Sequence, residues 1–219
     1  MAETTVMDAT REAVAALRPI SPAAHLAARF AAAEVRGARA VRIREVPFLT
    51  MVGLRAAPGS SAADWLGGHL GVRLPDRCGA VATGDGFSVL WLSPDEFLVV
   101  AGAAASSPEA PRQLADALAG ALDGQPGSAV DLSANRTTFE LSGPMARDVL
   151  EKGCALDLHP RAFEIGTAYV SAIGSVPVIL WKLDQDLYRL LPRASFADFL
   201  GRWLLDAMLE YQSPELPAP

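Results

Sequence analysis

Apolar positions recur with alternating and with helical spacing along residues 21–211, and together they predict an α+β fold. A helix begins at Ser21-Pro22 and carries Leu26 and Phe30, as a docking arm would. Residues 40–57 are extended, and Pro47 is expected at a strand edge or bulge because proline cannot donate to a sheet ladder. The rest of this half contains a helix at 60–70, strands at 87–92 and 97–101, a helix at 107–122 and a strand at 129–132.

The second half repeats this order in a weaker form. Its elements are a strand at 137–141, a helix at 144–152, strands at 169–173, 176–183 and 187–191, and a last helix at 194–211. Trp91 and Trp181 each precede a turn and a further strand, which indicates an internal repeat. We therefore predict two tandem βαββαβ units packed together. The expected divisions are an N-terminal tail and docking helix at 1–38, a first unit at 39–133, a second unit at 134–211 and a disordered tail at 212–219.

The segment 129–163 is rich in turn and capping signals. Ser142-Gly143-Pro144 predicts a helix start, since proline at a first helical turn loses no hydrogen bond. Lys152-Gly153 predicts the end of that helix, with the glycine in the left-handed conformation. Residues 157–161 then predict a turn or short helix.

Composition narrows the functional classes. The chain has 219 residues, 51% of them hydrophobic, and a net charge of −6. Its mean hydropathy is positive although no apolar run is long enough to span a bilayer, which suggests apolar surface for partner subunits. No basic stripe or Lys/Arg run is evident, which argues against nucleic-acid binding. Without a signal peptide, we expect a cytoplasmic protein with no membrane association.

The candidate chemistry is sparse. The two cysteines and three histidines are scattered, so the spacing indicates neither a disulfide framework nor a metal site. Neither a dinucleotide-binding nor a P-loop motif is present. Asp157, His159 and Arg161 could handle protons, because histidine titrates near neutrality. The alternative is that His159-Pro160 ends a turn, since the residue before proline avoids the helical region.

Asp131, Ser133, Asn135 and Arg136 form the densest polar cluster. They could line a pocket in which Arg136 binds a carboxylate bidentately. Alternatively, Asp, Ser and Asn bond to nearby backbone in a tight turn, and Arg136 pairs with Asp131 or with a partner subunit. The second interpretation makes the cluster structural, with an interface role as its extension.

Several segments in this order resemble the gamma subunits of heterotetrameric sarcosine oxidases. The matching residues are Arg42–Phe48, Leu90–Glu96, Asp131, Ser133, Asn135–Thr137, Leu141–Pro144, Ala146, Lys152–Cys154, Leu156–Pro160 and Ser195–Leu200. The resemblance covers about residues 21–211. It implies the fold of the folate-binding domain of the aminomethyltransferase (T-protein) family, whose hairpin carries an aspartate just after a glycine. The run GSVPVI at 174–179 has no acid, so aminomethyl transfer by this chain is not expected.

The resemblance implies a non-catalytic subunit that supports a complex with alpha, beta and delta chains. That complex oxidises sarcosine to glycine with oxygen, forms hydrogen peroxide and passes the one-carbon unit to tetrahydrofolate. FAD, FMN, NAD and tetrahydrofolate are expected on the other subunits, with no catalytic, cofactor or metal residue in this chain. The alternatives are a stand-alone folate-binding or one-carbon-transfer protein and a self-associating scaffold.

Overall fold

The computed structural model describes residues 19–84, 86–101 and 109–212. The strands are β1 (Arg42–Glu45), β2 (Met51–Ala56), β3 (Val81–Thr83), β4 (Phe87–Ser93), β5 (Glu96–Ala101), β6 (Gly127–Asp131), β7 (Phe139–Ser142), β8 (Ala168–Ile173), β9 (Val176–Asp184) and β10 (Leu187–Pro192). The α-helices are α1 (Ala27–Ala32), α2 (Ser61–Leu70), α3 (Ala110–Ala121), α4 (Ala146–Glu151), α5 (Ala197–Ala207) and α6 (Leu209–Gln212). Two 3₁₀ turns, Ala24–Leu26 and Ala194–Phe196, lead into α1 and α5.

The strands form two five-stranded antiparallel sheets with matching orders. The first sheet runs β3-β4-β5-β2-β6, and the second runs β8-β9-β10-β7-β1. In the first sheet the chain order is β2-α2-β3-β4-β5-α3-β6, and in the second it is β7-α4-β8-β9-β10-α5, with β1 in the position of a final strand. The predicted α+β fold is confirmed. The second sheet is completed by β1, which pairs with β7 from Arg42↔Ser142 to Glu45↔Phe139. Strand β1, which lies within residues 39–133, therefore belongs to the second sheet.

The layers stack as helices, sheet, sheet, helices. Side chains alternate across each strand: Phe97 and Val99 of β5 pack with α2 and α3, whereas Leu98 and Val100 face the other sheet. The second sheet packs α1, α4 and α5 against its outer face. A third apolar cluster joins the two sheets, formed by Leu49, Met51, Leu90, Leu98, Val100, Ala168, Ile179, Trp181 and Leu191. Both sheets are thus covered by apolar side chains on both faces near their centres.

Helix α2 follows the local signals in the sequence. The Ser60 hydroxyl accepts the amide N–H of Ala63 at 3.2 Å, and Gly71 ends the helix with φ of 69°. The start of the helix predicted at 107–122 lies outside the described residues, as do residues 1–18 and the tail 213–219. Within the described part of the chain, no helix is long and apolar enough to cross a membrane.

Three local features differ from what the sequence predicted. The extended run 40–57 contains two strands in different sheets, with Pro47 in the connection between them. Strand β3 was missed. Gly153 is absent from the left-handed glycines; instead, a Cβ there would lie 2.5 Å from a ring atom of Trp203. Glycine is needed at this position because the tryptophan of α5 packs directly against its backbone.

The carboxylate of Glu45 ties the N-terminal segment to the second sheet. It accepts the hydroxyl of Ser21 at 2.6 Å, the amide N–H of Ala23 at 3.2 Å and the hydroxyl of Thr137 at 2.6 Å. These bonds hold the entry to α1, whose Phe30 ring meets Phe139 edge-on with 5.8 Å between centroids. The arm is therefore fixed by polar bonds at its start and by aromatic packing in its middle.

We expect Glu45→Ala to lower the free energy of unfolding by about 1–3 kcal/mol, since three donors lose their acceptor. Amide hydrogen exchange in residues 24–32 should accelerate more than exchange in α2. Glu45→Gln, which keeps one carbonyl oxygen, should show a smaller loss. Equal exchange of the arm in Glu45→Ala and the unsubstituted protein would contradict this role.

Candidate functional site

The polar cluster at 131–136 is a turn that connects the first sheet to the second. The carboxylate of Asp131, the last residue of β6, accepts the amide N–H of Ser133 at 2.9 Å. The Ser133 hydroxyl accepts the N–H of Met51 at 2.9 Å and donates to the Met51 carbonyl at 3.3 Å. These side chains therefore bond to backbone, as the turn interpretation predicted, and they fasten the turn to the start of β2.

Asn135 and Arg136 also bond to backbone groups, Asn135 through its own main chain. The main-chain carbonyl of Asn135 accepts the amide N–H of Ala194 at 2.8 Å. Arg136 donates to the carbonyl of Leu191 at 2.8 Å rather than pairing with Asp131. Burial lowers the pKa of Arg136, as does the nearby Arg193, whereas Glu96 acts in the opposite direction. The guanidinium lies where the two sheets meet and binds within its own chain.

His159 and Arg161 lie in a separate, exposed turn. The Asp157 carboxylate accepts the N–H of His159 at 2.9 Å, and His159 Nδ1 accepts the N–H of Arg161 at 3.2 Å. The bonds of His159 and Arg161 are thus local ones that shape the turn. Among the described residues, no hydrogen bond joins this imidazole to a serine or cysteine side chain. Burial also raises the pKa of the Cys154 thiol, which disfavours the reactive thiolate form.

Metal ligands are likewise dispersed. Among the described residues, no group of three or more His, Cys, Asp or Glu side chains could hold an ion.

The sequence analysis missed a charged row across the inner face of the second sheet. The strand registers align Trp181, Arg189, Glu140 and Arg44 on β9, β10, β7 and β1. Arg189 donates from Nε and Nη2 to Glu140 Oε1 at 2.9 and 2.8 Å. Arg44 donates from Nε to Glu140 Oε2 at 2.8 Å and also from Nη2 to the same oxygen. The Arg189 guanidinium lies 5.6 Å from the Trp181 ring centroid.

The exposure of the side chains in this row increases from Glu140 to Arg189 to Arg44. The side chain of Glu140 is 6% exposed, that of Arg189 20% and that of Arg44 58%. Burial opposes ionisation of Glu140, but hydrogen bonds from Arg189 and Arg44 outweigh it and hold the pKa of this carboxyl below its usual value. Glu140 is therefore an ionised, buried counter-charge between two arginines.

Arg42 lies on the same face as Arg44, because β-strand side chains alternate and Ile43 between them is buried under the helices. We call the set Arg42, Arg44 and Arg189, with Glu140 among them, the arginine face. The sequence signal for this face was the alternation Arg42-Ile43-Arg44. It places two basic side chains on one side of a strand, although it is not a continuous run of Lys and Arg. Its pairing with Glu140 and Arg189 could not be read from sequence, since it depends on strand order.

Large apolar side chains also remain exposed on the surface. They are Ile20, Phe48, Trp65, Val130, Ile165, Val170, Phe196, Phe199 and Leu209. Phe199 is 55% exposed although it lies in the periodic apolar pattern of the last helix. Phe48 is 53% exposed and has a φ of 58°, a conformation that is uncommon for an aromatic residue.

The comparison of folds gives the structural class of the chain. The chain is similar to the glycine cleavage system aminomethyltransferase T from Bartonella henselae, with a TM-score of 0.57 over 82% of this chain and 48% of that one. At 14% sequence identity this likeness concerns the fold alone. The chain thus has the aminomethyltransferase-like α+β fold expected from its sequence.

The sarcosine oxidase gamma subunit family model matches residues 53–210. The chain is 48% identical to the sarcosine oxidase subunit gamma of Corynebacterium sp. (strain U-96) over 99% of its length and 100% of the relative's. It is 46% identical to the Arthrobacter sp. subunit gamma, over 89% of this chain and 92% of that one. The chain belongs to the sarcosine oxidase gamma subunit family.

A solved relative has the same fold over most of the chain. A chain of the heterotetrameric sarcosine oxidase from Corynebacterium sp. U-96, in complex with pyrrole 2-carboxylate, has a TM-score of 0.84 and 48% identity. The match covers 90% of this chain and 98% of that one. The resemblance stated from sequence is therefore confirmed.

Proposed function

We propose that this chain is a non-catalytic subunit of a heterotetrameric sarcosine oxidase, which it supports structurally. The complex would oxidise sarcosine to glycine with oxygen, form hydrogen peroxide and transfer the one-carbon unit to tetrahydrofolate. FAD, FMN, NAD and tetrahydrofolate would bind to the alpha, beta and delta subunits. The near-full-length match to a chain of a heterotetrameric enzyme supports the assembly.

One observation supports the non-catalytic role above others. The side chains best suited to chemistry are bonded to backbone groups of this chain. They are Asp131 and Ser133 in the inter-sheet turn and His159 in the exposed turn. A general base must reach the proton that it removes, and these groups are directed into turns. The exposed aromatic and aliphatic residues supply the apolar surface that a permanent subunit contact requires.

We expect a tagged copy of this chain, co-expressed with the other three subunits of its own organism, to co-elute with all of them in gel filtration. The isolated chain should lack flavin absorbance and sarcosine turnover. Elution of the tagged chain apart from its partners would contradict the proposal. Saturable micromolar binding of tetrahydrofolate to the isolated chain, measured by calorimetry, would instead favour a folate-binding function.

A further inference from the structure

The arginine face carries unbalanced positive charge on an acidic protein. Three arginines surround one glutamate, whereas the whole chain has a net charge of −6. Near the centre of the second sheet this face is covered by the first sheet through Ile179, Trp181 and Leu191. Toward β1 the cover ends, because Arg42 is exposed and the Arg44 side chain is 58% exposed. Among the described residues Arg42 forms no ion pair.

Glu140 orients the Arg44 guanidinium so that it can bind an anionic partner. It binds Nε and Nη2 of Arg44, which fixes the guanidinium plane and leaves Nη1 directed away from the glutamate. A guanidinium held in this way loses little conformational entropy when its remaining donors bind a second carboxylate. Arg44 is therefore preorganised, with its exposed side turned to the outside of the molecule.

A groove of about 300 Å³ adjoins the arginine face at the edge of β1. Its lining includes Glu34, Arg36, Arg42, Ser142 and Gly143. Arg42 and its cross-strand neighbour Ser142 belong to both features. Arg36, whose side chain is 87% exposed, pairs with Glu34 at 3.3 Å, so these two residues together add no net charge to the groove. The positive surface therefore continues from the sheet face into this concave edge through Arg42.

We infer that the arginine face and its groove bind an acidic segment of another subunit of the complex, with carboxylates of that segment meeting Arg42 and Arg44. The inference rests on the proposed function and adds to it the surface and the chemistry of one subunit contact. Charge complementarity favours this occupant: in a two-fold symmetric contact, a second copy of this chain would present the same positive face. Complementary charge of this kind guides association and excludes partners of like charge.

Charge reversal tests the inference in the assembled complex. The variant R36E/R42E should recover at least about tenfold less of the other subunits than the unsubstituted chain in a tagged co-purification. The control R73E/R77E makes the same change in net charge at two exposed arginines outside the groove and should recover them fully. Full recovery with R36E/R42E, or equal loss in both variants, would overturn the inference. Failure of the unsubstituted chain to co-purify would instead contradict the proposed function, and the inference with it.

A second measurement does not depend on how well the charge-reversed chain folds. R42K keeps the positive charge and introduces an amine, which a carbodiimide joins directly to a carboxylate in contact with it. In the purified complex we expect the lysine of R42K to be cross-linked to an Asp or Glu of another subunit, as identified by mass spectrometry. A cross-link only to carboxylates of this same chain, or none, would place the acidic segment elsewhere.

Discussion

Replacing Glu140 by alanine is expected to destabilise the protein by about 3–5 kcal/mol, the usual effect of removing one partner from a buried ion pair. Arg189, whose side chain is 20% exposed, would lose both of its bonds to the carboxylate. Arg44 would lose its bonds as well and is more easily solvated. The loss should appear as a lower midpoint in urea denaturation followed by circular dichroism.

A matched control separates this buried carboxylate from an ordinary surface one. Glu151 pairs with Arg147 at 3.2 Å, but its side chain is 48% exposed. Glu151→Ala should therefore change stability by at most about 1 kcal/mol. Similar losses for the two alanine variants would show that Glu140 is not an essential counter-charge.

The same residue predicts a direction for the pH dependence. The pKa of Glu140 is lower in the folded protein than its ordinary value of 4.5. Its ionised form therefore contributes stability that is complete above the unfolded-state pKa and is lost as the pH falls through the folded-state pKa. The stability difference between the unsubstituted protein and Glu140→Gln should shrink as the pH falls below 4.5. A constant difference across that range would contradict the assignment.

The elements that the sequence predicted best are those with local signals. Helix α2 has Ser60 at its start and Gly71 at its end, and both act within a few residues of the chain. The pairing of β1 with β7 joins Arg42 to Ser142, a hundred residues away, and no local pattern encodes it. Strand membership of the sheets was therefore the part of the fold that sequence could not supply.

The bonds of the candidate site were likewise predictable where they are local and unpredictable where they join distant strands. Turn chemistry at Asp131 and Ser133 was one of two open interpretations, and the structure favours it because the bonding partners are backbone groups. The sequence placed Glu140 in the strand predicted at 137–141 and gave no reason to assign it a role. It is buried because the second face of that strand meets another sheet, and its charge is retained because two distant strands each supply an arginine. For Gly153 the sequence predicted a local role as a helix cap. The structure shows instead that a distant tryptophan requires glycine there.

Gly143 should be nearly as sensitive to substitution as Glu140. Its φ is 112°, a region that side chains rarely adopt, and a Cβ would lie 2.4 Å from the carbonyl oxygen of Ala40. Its amide N–H donates to the carbonyl of Asp186 at 2.9 Å, so the backbone cannot turn away without losing that bond. Backbone strain and overpacking together predict a loss of about 2–5 kcal/mol for Gly143→Ala, measured by urea denaturation.

Gly68→Ala provides the opposite expectation within the same protein. Gly68 lies inside α2, has nothing within 4 Å of its Cβ position and has no left-handed φ, so alanine should stabilise the protein by about 0.5–1 kcal/mol. Because Gly143 lines the groove beside β1, its substitution should also weaken recovery of the other subunits, whereas Gly68→Ala should not. A Gly143→Ala protein as stable as the unsubstituted one would mean that Ala40 moves aside easily. The edge of β1 would then be too compliant to hold Arg42 and Arg44 in place for a partner.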